Sequence, residues 1–379
     1  MLRSPLRGKR KLVPTREKGV EPAESTLAAL ARPTTEKRPK AAPQVKVVNL
    51  ALQGGGSHGA YTWGVLDRLL EEDRLQVEGI SGTSAGAMNA AVMAMGMARG
   101  GREGARQELA GFWQDVATAG RSGPFSRSPI ERFFTGWNSD FSPGRMFMDT
   151  LSRFLSPYQL NPFNLNPLRR VLGEHVDFKE LAKHEPIKLF ISATHVRTGK
   201  IRVFECKDLS LDAIMASACL PTVFQTVWVD GEPYWDGGFM GNPAIFPLIY
   251  GCESADVLIV QINPIHRHEV PETTNDIADR VNEISFNSSL MREMRAIEFV
   301  ARLVETEKLD QQRYKRMRIH MIEAEQEMGD LGLASKLDSD WDFLQYLKNI
   351  GRNAADKWLK ANWSGIGERS TVDIRKEFL

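Results

Sequence analysis

Three short glycine-rich stretches hold the residues of this chain whose types and spacing could do chemistry. The first, Gly54-Gly55-Gly56-Ser57-His58-Gly59, is a GxGxxG sequence between an apolar run and a helical pattern. Glycines let a backbone approach a ligand closely, and a helix start offers unpaired N–H donors and a positive dipole end. Two ligands suit such a loop: the pyrophosphate of a dinucleotide, or the oxyanion of an acyl-transfer intermediate. The dinucleotide reading even has an acidic residue, Glu78, about where a ribose partner belongs.

The second stretch is Gly82-Thr83-Ser84-Ala85-Gly86, a GxSxG sequence. Small neighbours permit a sharp strand-to-helix turn that lifts a serine hydroxyl clear of the backbone, and the helix start favours developing negative charge. The third is Asp236-Gly237-Gly238. A serine nucleophile needs a base, and an aspartate serves if it is within hydrogen-bond reach and partly desolvated. Read alone, each stretch has a bland meaning: a capped turn, or an ordinary Asp-Gly turn. Their combination discriminates, because a dinucleotide site has no use for a nucleophile turn one βα unit downstream.

These residues need elements that bring them together. Residues 45–52 read as a buried strand entering the glycine loop, and residues 57–72 as a helix with Tyr61, Val65, Leu66 and Leu69 on one face. Residues 76–80 read as a second strand, followed by the serine turn and an apolar helix to about Ala98. This order predicts an α/β fold with a mostly parallel sheet, in which the C-terminal ends of neighbouring strands lie side by side. Residues 100–180 read as short helices and irregular, aromatic-rich segments, which would either cap the site or simply pack. Strands are expected at 188–194, 200–205 and 257–262, with a helix at 211–219 and a strand-turn-strand at 226–234. From about Asn275 the pattern is helical to the end, and residues 276–304 suit a helix docked on the core.

Residues 1–44 differ in kind. They carry eleven Lys and Arg against four Glu, with several prolines and few core-forming residues. We expect a disordered basic tail here, which either stays solvated or tethers the chain to an anionic surface. The remaining residues carry −6, so a formal net charge of +1 gives no general attraction to nucleic acid. Three widely spaced cysteines, Cys206, Cys219 and Cys252, argue for a reducing, cytoplasmic setting over a disulfide framework. No apolar run is long enough to span a membrane, and His175, His184 and His195 form no metal-binding spacing, so neither metal nor cofactor is expected.

Taken in order, Leu-Gln-Gly-Gly-Gly-Ser-His-Gly-Ala, Gly-Thr-Ser-Ala-Gly-Ala and Trp-Asp-Gly-Gly-Phe-Met-Gly-Asn-Pro resemble the motifs of the patatin-like phospholipase family. Supporting stretches are residues 194–200, and Ala216-Ser217-Ala218-Cys219-Leu220-Pro221 leading to Val229-Asp230-Gly231. The resemblance spans about residues 48–250. It implies a three-layer α/β/α domain, with a Ser–Asp dyad, no catalytic histidine and no cofactor. Carried over by motif, Ser84 is the nucleophile, Asp236 its base, and the amides around Gly54, Gly55 and Gly56 the oxyanion hole. Gly59, Gly82, Gly86, Gly237 and Gly238 support these turns. The expected organisation is a tail at 1–44, an acyl hydrolase domain at 45–265 and a helical C-terminal extension at 266–379. The expected partner is a lipid or other acyl ester, met at a membrane or lipid surface.

One position departs from the family pattern. The glycine loop usually carries Lys or Arg where this chain has His58, and a histidine there would make any contribution to the oxyanion or a head group pH-dependent. Two rivals stay open. Ser84, Asp236 and then His266 or His268 follow the chain order of an α/β-hydrolase triad, and a lipid-surface protein with a vestigial esterase site would keep the same motifs.

Overall fold

The computed structural model describes residues 45–121 and 155–379, apart from residues 268, 307, 311–313 and 330. The expectations for residues 1–44 and 122–154, and for His268, lie outside the described residues. Alternation along the first strand, β1 (Lys46–Leu52), explains the layering. Val48, Leu50 and Leu52 join one apolar core, and Ala51 joins a second on the other face. Both faces of the strand are therefore covered, as a parallel strand requires.

The sheet continues with β2 (Leu75–Gly82), β3 (Lys188–His195), β4 (Ile201–Glu205), β5 (Val227–Val229), β6 (Glu232–Asp236), β7 (Asp256–Val260) and β8 (Arg318–Ile322). Its order is β5-β6-β3-β2-β1-β7-β8, with β4 paired to β3. The five central strands from β3 to β8 run parallel, and β4, β5 and β6 pair antiparallel. The β5–β6 hairpin turns through Asp230 and Gly231, both with positive φ, a turn whose twist matches the strands it joins.

Helices α1 (Gly59–Leu69), α2 (Ala85–Arg121), α3 (Leu211–Ser217), α4 (Thr274–Glu305) and α5 (Trp341–Asn362) supply the outer layers. On one face α1, α2, α3 and α5 bury their apolar stripes, and on the other α4 does so through Leu290, Met294 and Ile297. The result is a three-layer α/β/α fold with a mostly parallel sheet. Among the described residues no helix is long and apolar enough to cross a membrane.

Two elements differ from the sequence expectation. The helix after Ser84 ends near Ala98 as expected, at the non-helical Gly100 and Gly101, but a second helix then runs to Arg121 where short helices and irregular segments are expected. Ala105, Leu109, Phe112, Trp113 and Val116 are buried, the spacing of one face of this second helix. The C-terminal region is mostly helical but also contributes β8, and the described residues fall within one compact unit. Strand β8 hides in sequence because its polar residues point inward. Buried His320 donates to or accepts from Asp256 Oδ1 at 2.9 Å, and Arg318 pairs with the same carboxylate at 2.6 Å.

Candidate active site

The register of β3 explains how the serine and the aspartate meet. Strand β4 lies along one edge of β3, so β2 and β6 must share the other. Gly82, the last residue of β2, stands opposite Ile191, and Asp236, the last of β6, stands opposite Ala193. The two chains therefore end against each other on one edge of β3, at the mouth of the parallel sheet.

Ser84 occupies the turn between β2 and α2 with φ 53, a left-handed conformation that costs a non-glycine residue of order 1–3 kcal/mol. Its neighbours hold it there. The Ser84 amide donates to Ser217 Oγ at 2.9 Å, and Thr83 Oγ1 donates to the Gly241 carbonyl at 2.6 Å. Thr83 Oγ1 also lies 2.7 Å from Ser192 Oγ. Gly82 and Gly86 are required by space: a Cβ on Gly82 would stand 2.8 Å from the Gly86 carbonyl oxygen, and one on Gly86 would run into the carbonyl of Leu52. Gly59 is similar, since a Cβ there would lie 2.7 Å from the Cβ of Ala85, where α1 and α2 start side by side.

Asp236 is fully buried. Its Oδ1 accepts the Gly238 amide at 2.7 Å, and its amide donates to the Cys219 carbonyl at 2.7 Å. Its Oδ2 is buried and makes no hydrogen bond. The Ser84 hydroxyl lies near enough to favour the charged carboxylate. Burial pushes the Asp236 pKa up to about 7, against the opposing pull of the Gly238 amide and then the Ser84 hydroxyl. Gly237 and Gly238 leave room for the backbone at Ser192 and for the Phe286 ring, which a Cβ at either position would strike.

The glycine loop lies directly against the serine. A Cβ on Gly54 would stand 2.8 Å from the Cβ of Ser84. The Gly54 amide, however, is already donated to Asn242 Oδ1 at 2.7 Å, so it is not available to a ligand. Among the described residues no acceptor takes the Gly55 or Gly56 amide. Gln53, fully buried behind the loop, accepts from the Ile262 and Asn263 amides at 2.8 and 2.9 Å and donates to Asn287 Oδ1 at 3.1 Å.

His58 does not behave as expected. It is buried, its Nε2 lies 2.7 Å from Ser335 Oγ, and burial followed by the charge of Lys336 lowers its pKa to about 3. Burial thus favours the neutral imidazole of His58 over a charged one. His266 is mostly exposed and pairs with Glu377 at 3.2 Å, and no hydrogen bond joins it to Ser84 or Asp236. Glu78, the ribose partner of the dinucleotide reading, accepts from the Glu253 and Ser254 amides and from Lys188. Its carboxylate is spent on structure, away from the glycine loop. Among the described residues no group of three or more His, Cys, Asp or Glu is placed to hold a metal ion.

Sequence reasoning missed the residues that hold the loops: Gln53, Ser192, Asn242, Asn263 and Lys336. Asn242 had a signal, since it falls inside the stretch that follows Asp236. The C-terminal helix α4 also reaches the site. Ser289 Oγ accepts the Asn242 amide at 3.1 Å, and Glu293 Oε2 accepts the Ile245 and Phe246 amides at 2.8 and 2.7 Å.

Comparison with solved structures finds VipD from Legionella pneumophila at 14% identity and TM-score 0.34, with 80% of this chain and 66% of that chain covered. It also finds the ExoU–SpcU complex of the Pseudomonas aeruginosa type III secretion system at 16% identity and TM-score 0.36, covering 85% of this chain and 52% of that chain. The chain thus spans from about half to just under two thirds of the length of these proteins. A search of curated proteins finds no match. The family model for patatin-like phospholipase matches residues 50–249, more than half of the chain and all three glycine-rich stretches. The chain belongs to the patatin-like phospholipase family.

Proposed function

We propose that the protein is a serine lipid acyl hydrolase, of phospholipase A or carboxylic ester hydrolase type, working through a Ser84–Asp236 dyad. The observation that supports it most is the pairing of a strained serine with a buried carboxylate whose Oδ2 has no other hydrogen-bond partner. In the acylation step Asp236 takes the Ser84 proton as Oγ attacks the ester carbonyl. The Gly55 and Gly56 amides meet the oxyanion of the tetrahedral intermediate. Collapse breaks the bond to the leaving alkoxide, which takes the proton back from Asp236 and departs as an alcohol. Asp236 then deprotonates a water that attacks the acyl-serine, and collapse releases the fatty acid and returns the proton to Ser84. This scheme uses no cofactor.

A carboxylate with a pKa near 7 is matched to base catalysis at neutral pH. Only its charged form accepts a proton, so the rate is expected to rise with pH through about 7. The rate of Ser84 labelling by a fluorophosphonate, followed from pH 5 to 8 in about half-unit steps around that value, checks both points. A chain never labelled at Ser84 would instead fit a lipid-surface binder with a vestigial site. Labelling whose rate ignores pH would remove Asp236 as the base.

The basic tail is assigned to the lipid surface on its charge of +7, from eleven basic and four acidic residues over 1–44. Each basic residue near an anionic surface contributes on the order of 1 kcal/mol. Deleting residues 1–44 is expected to weaken binding to anionic vesicles at low salt while leaving turnover of a soluble ester unchanged. Equal vesicle binding with and without the tail would reduce it to a solvated segment.

A further inference from the structure

The C-terminal region places a cation behind the glycine loop. Lys336 lies in a 3-10 turn, Leu333–Leu337, that packs on the matching turn Gly56–His58. The Lys336 carbonyl sits against Gly56, where a Cβ would strike it, and neighbouring Ser335 contacts His58. The Lys336 ammonium donates to Asn263 Oδ1 at 2.7 Å. An ammonium can only donate, so this bond fixes the orientation of the Asn263 amide. Asn263 Nδ2 then donates to the Gly54 carbonyl at 3.0 Å, with a longer contact of 3.3 Å to Gln53 Oε1.

We propose that Lys336 is a positioning residue for the glycine loop, holding the Gly54–Gly55 peptide through Asn263 so that the Gly55 amide is presented to the oxyanion. The inference rests on the hydrolase reading given above. In a trans peptide the C=O and the following N–H point in opposite directions. With the Gly54 carbonyl tied to Asn263, the Gly55 N–H is therefore turned to the opposite face, and no acceptor among the described residues takes it. Charge adds to geometry. An ammonium on Oδ1 makes Nδ2–H a stronger donor, and a stronger donor on the Gly54 carbonyl makes the Gly55 N–H a stronger donor in turn.

Among the described residues no carboxylate lies within ion-pair distance of Lys336. Of the groups that face it, Glu283 and Asp279 on α4 favour the charged form from a distance, Arg267 opposes it, and buried His58 is neutral. Glu283 is itself matched by Arg267 at 2.5 Å and Arg280 at 3.1 Å. Burial outweighs the carboxylates and pulls the Lys336 pKa down to about 8. The positioning charge is thus lost at moderately alkaline pH.

The test measures kcat and KM on a soluble ester, and the rate of fluorophosphonate labelling, from about pH 6 to 10, bracketing the Asp236 and Lys336 transitions, in full-length wild type, Lys336→Met, Lys336→Arg and Asn263→Asp. Losing a single oxyanion donor costs about a hundredfold or more, so disturbing its support is expected to lower kcat and labelling roughly tenfold or more. KM should stay within about twofold, because ground-state binding is not the target. Arginine at 336 should restore most of the rate. In wild type the rate should fall above about pH 8, and this fall should vanish in Lys336→Met. Asn263→Asp keeps the ammonium paired but replaces the donor to Gly54 by an acceptor, so it should be as slow as Lys336→Met. It also decides the matter if the methionine variant fails to fold. Wild-type kcat and labelling in Lys336→Met or Asn263→Asp would overturn the inference, as would a raised KM with unchanged kcat. A wild-type chain never labelled at Ser84 would overturn the hydrolase reading and this inference together.

Discussion

Replacing Ser84 by alanine is expected to lower ester turnover by at least about a thousandfold while leaving the fold intact, because loss of a nucleophile removes the covalent step itself. The local structure makes this a clean test. Ser84 is held by its backbone: its amide donates to Ser217 Oγ at 2.9 Å, and its carbonyl accepts the Met88 amide at 3.1 Å. Neither bond uses the hydroxyl. Alanine also inherits the backbone cost of φ 53 without changing it, so the melting temperature should hardly move. Glycine at the same position is expected to be equally inactive yet more stable by roughly 1 kcal/mol, since it occupies that region without strain. Turnover by Ser84→Ala above about a tenth of wild type, far more than this loss allows, would remove Ser84 as the nucleophile. An alanine variant that is inactive but unfolded by circular dichroism would leave the glycine variant to decide.

What the sequence reveals of this site is what short-range pattern can encode. The elbow and the glycine loop are readable because a sharp turn demands small residues within five positions, as Gly82 and Gly86 do around Ser84. Asp236 is readable from the two glycines that let the Ser192 backbone and the Phe286 ring close over it. The supports are not readable, because the sheet assembles them from distant segments. Gln53 follows β1, Asn263 follows β7 and Lys336 lies in the C-terminal region, yet the three meet behind one loop. No spacing announces such a meeting. Nor does the sequence reveal that His58 is buried, since Ser335, which contacts it, comes from the C-terminal region. In β8 the inward-facing Arg318 and His320 disguise a strand whose polar side chains are matched by Asp256.

Asp236→Asn is expected to abolish activity and, above neutral pH, to stabilise the protein. The catalytic half follows from the dyad: an amide cannot accept the Ser84 proton, so the base is removed outright. The stability half follows from linkage. Burial raises the Asp236 pKa from 3.8 to about 7, so the folded state binds this proton more tightly than the unfolded state does between those values. Stability from this group is therefore greatest below pH 4 and is lost as pH rises to about 7. Each pKa unit is worth about 1.4 kcal/mol, which makes the full penalty on the order of a few kcal/mol. Asparagine keeps an oxygen for the Gly238 amide and carries no charge to bury. The melting temperature of Asp236→Asn should thus match wild type near pH 4 and exceed it by several degrees at pH 8. A triad makes a different forecast. There a histidine takes the serine proton and the aspartate only orients it, so losing the histidine should cost orders of magnitude. His266 is mostly exposed and engaged by Glu377, so His266→Ala should keep activity within about twofold, the scatter expected of a surface change; His268→Ala is expected to do the same. Kinetics of the three variants on one soluble ester, with melting curves at both pH values, separate the mechanisms. A histidine variant as inactive as Asp236→Asn would replace the dyad by a triad. An asparagine variant no more stable than wild type at pH 8 would mean that Asp236 is not the buried, desolvated carboxylate on which the proposed base depends.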